Sequence, residues 1–504
     1  MIRRRVALRS LPPLLFPFAA AFATALRAPA LTQARLRRRL AAAAATTAYG
    51  RSHGVRGAGD FERLPVVDWD DLAPWVARQQ AEEGRVLCPQ PVRFYERTSG
   101  SSGASKLVPY TAGLQQDFSA MFGAWAWDVL TRGPRLRSGR TYISVSPRLG
   151  AAQTTATGRP IGLEDDAAYL DGWMQALLRR FLVPVDSRFA DGEAFRDATA
   201  LALLRASDLE VVSVWNPTFL EVLLDHVTLH ADRLARHLPT DRARLLRGEL
   251  DWARIWPRLT VLSCWDQGPA APMAARLARR LPHAMLQGKG LLATEGAVTV
   301  PWLRAEGCLP LLHRTLIELR DDRGDLLPLM AGRVSATYEV VISTRGGLLR
   351  YALGDRVQIT HRYRGVPVLR FVGRAGGVSD LVGEKLTERF VADALASVLP
   401  SSAALRTLVP LTGPPARYAL LTDEPLPADA ASRVDEALRR AHHYGLAREL
   451  GQLGPLVACS DPAAGRWLTE HETRRGLRLG DIKPRALQLH PADPALTLQL
   501  SPSR

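Results

Sequence analysis

The stretch whose reading decides the fold is VRFYERTSGSSGASKLVPYT, residues 92–111. Val92–Arg97 reads as a strand, and it runs into the loop Thr98-Ser99-Gly100-Ser101-Ser102-Gly103-Ala104-Ser105-Lys106. A helical stretch carrying Trp125 and Trp127 follows. In that loop Gly100 and Gly103 let the backbone fold back so that successive amides point at an anion. Five hydroxyls add donors, and Lys106 adds a point charge. It is not a Walker loop, which needs Gly directly before Lys and Ser or Thr after it; Ser105 and Leu107 hold those places. A flexible Ser/Gly linker is the plainer alternative, but a position between strand and helix, closed by a lysine, favours phosphate binding.

Outward from this loop, strand-like and helical runs alternate. Thr141–Ser146 is a strand, and Val211–Trp215 and Leu259–Trp265 are short apolar runs ahead of helical segments, as in βα units. His226 and His230 are spaced i, i+4 on the helix between those two runs, and without a third ligand they read as surface or packing residues. From Tyr338 the texture turns to hairpins. Glu339–Thr344, Leu348–Tyr351, Arg356–His361 and Val366–Val372 are strands separated by Arg345-Gly346-Gly347, Gly354-Asp355 and Tyr363-Arg364-Gly365. After Gly373-Arg374-Ala375-Gly376-Gly377 the alternation resumes with helix Glu384–Val398, strand Tyr418–Thr422 and helix Asp429–Leu450. Adjacent glycines can absorb a large backbone change, so a domain boundary falls at about residue 374. The expectation is an α/β chain in three parts: a basic segment 1–46, a large domain 47–373 of mixed sheets flanked by helices with a β-rich subdomain, and a smaller, mobile α+β domain 374–504.

Composition narrows the function classes. The 504 residues are 47% hydrophobic and 23% charged, ordinary for a globular chain and unlike a disordered or collagenous one. The net charge of +16 suggests a nucleic-acid binder until it is located. Residues 1–59 hold eleven Arg, no Lys and no acidic residue, which leaves only +5 for the rest. The charge belongs to one terminal segment without interleaved aromatics, not to a broad DNA-binding face. Cys88, Cys264, Cys308 and Cys459 are far apart with no CxxC pair, which suits a reducing compartment and buried thiols.

In the terminal segment Leu11–Leu26 carries no charge. At 16 residues with Pro12, Pro13 and Pro17 inside, it is too short and broken for a membrane-crossing helix, which needs about 20. A signal peptide is a rival reading, given the basic start and Ala23-Thr24-Ala25. Ala34–Thr47 then reads as an Arg- and Ala-rich helix without an obvious mature start, which favours a helix lying on the protein or on an anionic membrane surface in a cytoplasmic chain.

Only four basic residues are lysines: Lys106, Lys289, Lys385 and Lys483. Arg and Lys are interchangeable as solubilising charge, but not where a compact ammonium is required. All four stand in stretches punctuated by Gly or Pro, namely SGASKLVPY, LQGKGLLATEG, LVGEKLTE and GDIKPRAL. Among the remaining motifs, Gly290-Leu291-Leu292-Ala293-Thr294-Glu295-Gly296 ends an apolar run in a hydroxyl and a carboxylate; such a Glu can ligate Mg²⁺ that bridges nucleotide phosphates. In Tyr351-Ala352-Leu353-Gly354-Asp355 the Asp either caps a turn or accepts hydrogen bonds from ribose hydroxyls. Arg374 sits at the boundary, and Gly480-Asp481-Ile482-Lys483-Pro484-Arg485 lies near the end of the chain.

In this order the motifs resemble those of the adenylate-forming superfamily of acyl-CoA synthetases, peptide-synthetase adenylation domains and luciferases. More narrowly the chain is similar to the acyl acid–amido synthetases that conjugate auxin and jasmonate in plants, with their bacterial relatives. The resemblance rests on TAYGRSHG (47–54), TSGSSGASKLVPYT (98–111), GLLATEG (290–296), YEVVISTRGGLLRYALGD (338–355), FVGRAGGVSDLVGEKLTE (371–388) and GDIKPR (480–485). It implies that residues 98–106 wrap the β- and γ-phosphates of ATP and that Thr294 and Glu295 hold the α-phosphate and Mg²⁺. It also implies that Asp355 binds the ribose with Arg374 assisting, and that Lys385 and Lys483 reach the phosphates from the smaller domain. Lys289, five residues before Thr294, is expected near the same phosphates. One departure stands out: the family's Tyr-Arg-x-Gly-Asp has Ala352 in place of its Arg.

The implied activity is ATP-dependent ligation of a carboxylic acid to an amine, first among them an amino acid. Acyl-CoA ligation is the alternative within the superfamily, and a non-catalytic, membrane-associated scaffold the alternative outside it. Trp125, Trp127, Trp173 and Trp215 are equally candidates for the acid pocket and for plain core.

Overall fold

The computed structural model describes residues 2–82, 84–98, 106–144, 153–162, 169–185, 192–375, 377–400, 405–475 and 485–500. They fall into two compact units, Met1–Arg97 with Lys106–Ala375, and Thr98–Ser105 with Gly376–Arg504.

In the first unit, strands β1 (Val92–Thr98), β2 (Lys106–Thr111), β3 (Thr141–Ile143), β4 (Gln153–Thr154) and β5 (Pro160–Ile161) come first in the chain. Four of them make a sheet in the order β2-β1-β5-β4. β3 instead begins a parallel sheet with β6 (Val211–Ser213), β7 (Val261–Cys264) and β8 (Met285–Gly288). The helices Gly192–Arg205, Pro217–Leu229 and Ala271–Arg280 alternate with these strands, and their apolar faces share one core with Tyr142, Leu262 and Cys264. This is the βα pattern read from the sequence. A short hairpin, β9 (Leu292–Ala293) and β10 (Gly296–Ala297), precedes a seven-stranded antiparallel sheet. That sheet is built from β11 (Thr299–Trp302), β12 (Gly307–Pro310), β13 (Leu316–Arg320), β14 (Leu326–Pro328), β15 (Thr337–Ser343), β16 (Tyr351–Tyr363) and β17 (Val366–Arg374). Its order is β11-β12-β17-β16-β15-β13-β14. β16 and β17 are joined by Arg364 and Gly365, both at positive φ, as a two-residue hairpin turn requires.

Two sequence expectations change here. The Thr98–Lys106 loop joins strand to strand, not strand to helix. The run Leu107–Tyr110, rich in β-branched and aromatic side chains, pairs as β2 before Thr111 caps the helix Ala112–Arg132 by accepting from Leu114 N at 3.3 Å. The terminal apolar run is also continuous. α1 (Ile2–Arg27) carries Pro12, Pro13 and Pro17 within it, and by length and composition alone Val6–Arg27 is apolar enough to cross a membrane. Packing outweighs the lost proline donors: Leu8, Leu11, Leu15, Phe22 and Leu26 are buried in the core of the large unit. At about 2 kcal/mol for each buried side chain, that inner face stabilises the unit by about 10 kcal/mol before conformational entropy is counted. α1 lies so close to the Ala112–Arg132 helix that a Cβ on Gly123 would stand 2.5 Å from the Phe18 ring. α2 (Pro29–Ala44) continues the packing through Leu36, Leu40 and Ala41, and its Gln33 side chain donates to Leu312 O and Thr315 O.

The second unit contains the pair β18 (Val378–Ser379) and β19 (Leu386–Thr387), and a three-stranded sheet of β20 (Arg406–Leu411), β21 (Arg417–Thr422) and β22 (Val457–Ser460). Its first helix begins at Glu388, not Glu384, because Lys385 has φ +49 and β19 intervenes. The expected helix 429–450 is two helices, Ala430–Leu438 and His442–Glu449, which lets Arg448 fold back onto Asp435 at 2.9 Å.

Replacing Gly123 by Val should force α1 away from the neighbouring helix and lower the urea-unfolding stability by about 1–3 kcal/mol. Adding Phe18→Ala should return part of that loss, which a pair of urea titrations measures.

Candidate functional site

Lys106 is the first residue of β2. Its ammonium stands 3.5 Å from the Tyr351 hydroxyl and 5.6 Å from the centre of the Trp69 ring, so one side faces an oxygen and another a π-cloud. Thr98 ends β1. The predicted phosphate-loop residues Ser99, Gly100, Ser101, Ser102 and Gly103 lie outside the described residues, as does Lys483.

Thr294 and Glu295 form the two-residue turn between β9 and β10, where Ala293 pairs with Gly296. The Tyr110 hydroxyl donates to the Thr294 carbonyl, tying this turn to β2. Glu295 is 7% exposed, yet no hydrogen bond or ion pair among the described residues engages its carboxylate. A carboxylate in a turn with no donor among the described residues is a hard oxygen ligand open to a cation. That donor set fits Mg²⁺, which takes one or two carboxylates and fills the rest of its shell with phosphate oxygens and water.

Asp355 and Arg374 are register partners across β16 and β17. Arg374 Nη1 lies 3.1 Å from Asp355 Oδ1, and its Nη2 donates to Leu353 O at 3.1 Å. The sequence expectation of a Gly354-Asp355 turn is corrected: both residues lie inside the thirteen-residue strand β16. Gly354 takes φ +76 and lies in a bulge of β16, where Ala352 to Arg356 faces only Val341 to Glu339 of β15. A glycine at a bulge and a glycine at a turn look alike in sequence. The strand's buried face carries Tyr351, Leu353, Asp355, Val357 and Ile359, so Asp355 is a carboxylate set into an apolar stripe. Ala352, in place of the expected Arg, pairs with Val341 and donates its amide to Val67 O at 2.8 Å.

Tyr351 joins these parts. Burial pushes its hydroxyl well above the usual tyrosine range; the Glu295 carboxylate adds to this, Arg374 opposes it, and Asp355 and Asp68 add again. Four separated motifs, at 106, 294–295, 351–355 and 374, therefore converge around one phenol. The sequence motif contained Tyr351, but nothing in it marked the ring as the meeting point. Tyr110 was missed as well; its place in the apolar run LVPY was its only signal.

Lys289 is held at the end of β8. Its ammonium is 2.7 Å from Ser213 Oγ and 4.6 Å from the Trp215 ring centre, at the carboxyl ends of the parallel strands. Asp266, just past β7, has its carboxyl pushed up by burial. Of the other tryptophans, Trp125 donates to Gln287 Oε1 at 2.8 Å, Trp127 stacks on Trp302, and Trp173 is 44% exposed and stacks on Phe18.

In the second unit Lys385 follows Glu384, whose carboxylate accepts from Leu381 N at 2.7 Å, Val382 N at 2.8 Å and the Tyr418 hydroxyl. Burial, reinforced by the charge of Asp380, pushes Glu384 up to about 7. This buried anchor fixes the loop that presents Lys385.

Comparison with known proteins places this arrangement. The chain matches the GH3 family N-terminal domain over residues 19–243 and the GH3 family central domain over residues 315–374, together more than half its length. It is 26% identical over 157 residues to a Homo sapiens GH3 domain-containing protein, covering 28% of this chain and 29% of that protein. It is 34% identical over 71 residues to the Arabidopsis thaliana indole-3-acetic acid-amido synthetase GH3.3, covering 14% of this chain and 12% of that protein. These matches thus span less than a third of the length of the curated relatives. Among solved structures, the fold is similar to the GH3.15 acyl acid amido synthetase in complex with 2,4-DB, with TM-score 0.64, 17% identity and coverage of 97% and 96% of the two chains. It is also similar to a 2-hydroxyisobutyryl-CoA ligase, with TM-score 0.51, 15% identity and coverage of 94% and 92%.

Arg374→Ala leaves the buried Asp355 carboxylate without its guanidinium and should cost about 3 kcal/mol. The double variant Asp355→Asn with Arg374→Ala should be more stable than Arg374→Ala alone, and a double-mutant cycle in urea measures the coupling.

Proposed function

The chain belongs to the GH3 family, and from that membership and the site around Tyr351 we propose that it is an acyl acid–amido synthetase. It activates a carboxylic acid with ATP and passes the acyl group to an amine, an amino acid first among candidates. The observation that carries the reading is the convergence of Lys106, Glu295, Asp355 and Arg374 on one buried phenol.

A carboxylate is a poor electrophile because its charge opposes attack. In the first step its oxygen attacks the α-phosphorus of ATP and the bond to pyrophosphate breaks. The difficulty is electrostatic, since an anion approaches a phosphorus ringed by anionic oxygens. Lys106 supplies a positive charge at the foot of the loop that would hold the β- and γ-phosphates. Glu295 and the Thr294 turn would hold Mg²⁺ and the α-phosphate; the metal supplies charge neutralisation there. Asp355, oriented by Arg374, would accept from the ribose hydroxyls. Lys385 and Lys483, on the resemblance stated above, would meet the phosphates from the smaller unit. In the second step the amine nitrogen attacks the acyl carbonyl, the bond to AMP breaks, and the amine proton is released. The four cysteines are free thiols, three of them buried, which supports a reducing, cytoplasmic setting.

The test is pyrophosphate release with ATP and Mg²⁺ over a panel of aryl and aliphatic acids. Acid-dependent release should fall at least 100-fold in Glu295→Gln. Lys483→Ala should impair this adenylation far more than transfer from preformed acyl-adenylate, and equal loss in both steps would sink the role of Lys483. Amide product with an amino acid, without any need for pantetheine, separates amide synthesis from thioester formation. A protein that binds no ATP overturns the reading.

A further inference from the structure

α1 is apolar on both sides, and the fold covers only one of them. The inner side, Leu8, Leu11, Leu15, Phe22 and Leu26, is core. On the outer side Val6 is 61% exposed, Leu14 47% and Phe16 54%. At 100° per residue, Val6, Pro13, Pro17, Ala20 and Thr24 run along the centre of that outer side, with Leu14 and Phe16 on its flanks. Between Arg9 and Arg27 no residue of the helix is charged. A helix that is hydrophobic all round calls for cover on every side. Next to Phe18, Trp173 stacks at 5.8 Å and is itself 44% exposed, an aromatic of the kind that settles at a lipid headgroup boundary.

The charge around this face says what covers it. Arg9 and Arg27 bracket it and are exposed, and exposed Arg35, Arg38 and Arg39 follow on α2. No acidic residue occurs in the first 59 positions. We propose that the outer face of α1 docks the protein on an anionic membrane surface, with α1 lying in the plane of the headgroups. Phe16, Leu14 and Val6 enter the apolar boundary while the arginines meet lipid phosphates, the division of labour of an interfacial helix. α1 does not cross the bilayer in this arrangement, because its inner face stays in the core. The inference is independent of the proposed ligase activity.

Flotation of the full chain with vesicles tests it. The protein should float with phosphatidylglycerol-containing vesicles, not with pure phosphatidylcholine, and high salt should release it. The double variant Val6→Glu with Leu14→Glu changes exposed residues and leaves the Phe16 contact with Trp127 in place, so its thermal midpoint should match the parent while its vesicle affinity falls at least ten-fold. Unchanged affinity in that variant, or no flotation on anionic vesicles, overturns the proposal. So does binding that resists high salt, which means insertion, or equal binding to uncharged vesicles. If the parent instead self-associates without lipid and the variant does not, the face is covered by a second copy and the membrane assignment fails.

Discussion

The site depends on β16, thirteen residues from Tyr351 to Tyr363 that lie between β15 and β17. Side chains alternate along the strand, so Tyr351 and Asp355 fall on the same buried face, four residues apart, across the bulge at Gly354. The same pairing sets Arg374 directly across from Asp355. The remaining elements attach to this ruler. Val67 pairs with Tyr351 along its backbone, Lys106 reaches the Tyr351 hydroxyl, and Glu295 lies close enough to raise that hydroxyl's pKa. A one-residue slip of β16 would turn Tyr351 and Asp355 outward together. The site would then be lost without any change of residue.

Arginine and lysine divide the cationic work. Buried or half-buried carboxylates that hold the fold are gripped by guanidinium groups: Asp117 by Arg345, Glu318 by Arg350, Glu339 by Arg320 and Asp435 by Arg448. Burial raises Asp117 to about 6 even though Arg345 and Arg314 work against that rise by favouring the carboxylate. A planar fork suits such bidentate pairs. Lys106 and Lys289 stand instead against a hydroxyl and an aromatic face. The scarcity of lysine in the sequence thus pointed to positions where a compact ammonium is wanted. It did not distinguish the strand that begins at Lys106 from the parallel-sheet edge where Lys289 sits.

What the sequence made legible was the regular part: the βα alternation of the parallel sheet, the strands Glu339–Thr344, Arg356–His361 and Val366–Val372, and the Arg364-Gly365 turn; the expected strand Leu348–Tyr351 is instead a loop that leads into β16 at Tyr351. Each legible element is announced by periodicity or by a turn residue with one physical meaning. The errors fall where a residue type has two. Gly354-Asp355 reads as a turn and is a bulged strand. Pro12, Pro13 and Pro17 read as breaks and lie inside a helix whose inner face pays their cost through burial. The 429–450 helix breaks at 439–441 as Arg448 returns to Asp435; its one glycine, Gly445, lies past the break, where a Cβ would stand 3.0 Å from Arg439 O.

Those ambiguities are not scattered at random over the site residues. Asp355 follows a glycine at φ +76, Glu295 occupies a hairpin turn, and Lys385 holds φ +49, a conformation that costs a non-glycine residue about 1 kcal/mol or more. Such a backbone persists only where its surroundings over-determine it. Around Lys385 they do, since Glu384 accepts two backbone amides of the same loop and the Tyr418 hydroxyl, and Tyr418 is held in turn by Ser379 at 2.9 Å. Around Asp355 the constraint is the ion pair to Arg374 and the bond from Ala375 N to Gly354 O at 2.7 Å. A side chain on a regular strand or helix points where the element dictates. A side chain at a bulge or left-handed residue can be aimed elsewhere, provided a second layer of hydrogen bonds fixes the aim. Local rules of sequence reading therefore fail at these positions for the same reason that the positions are useful.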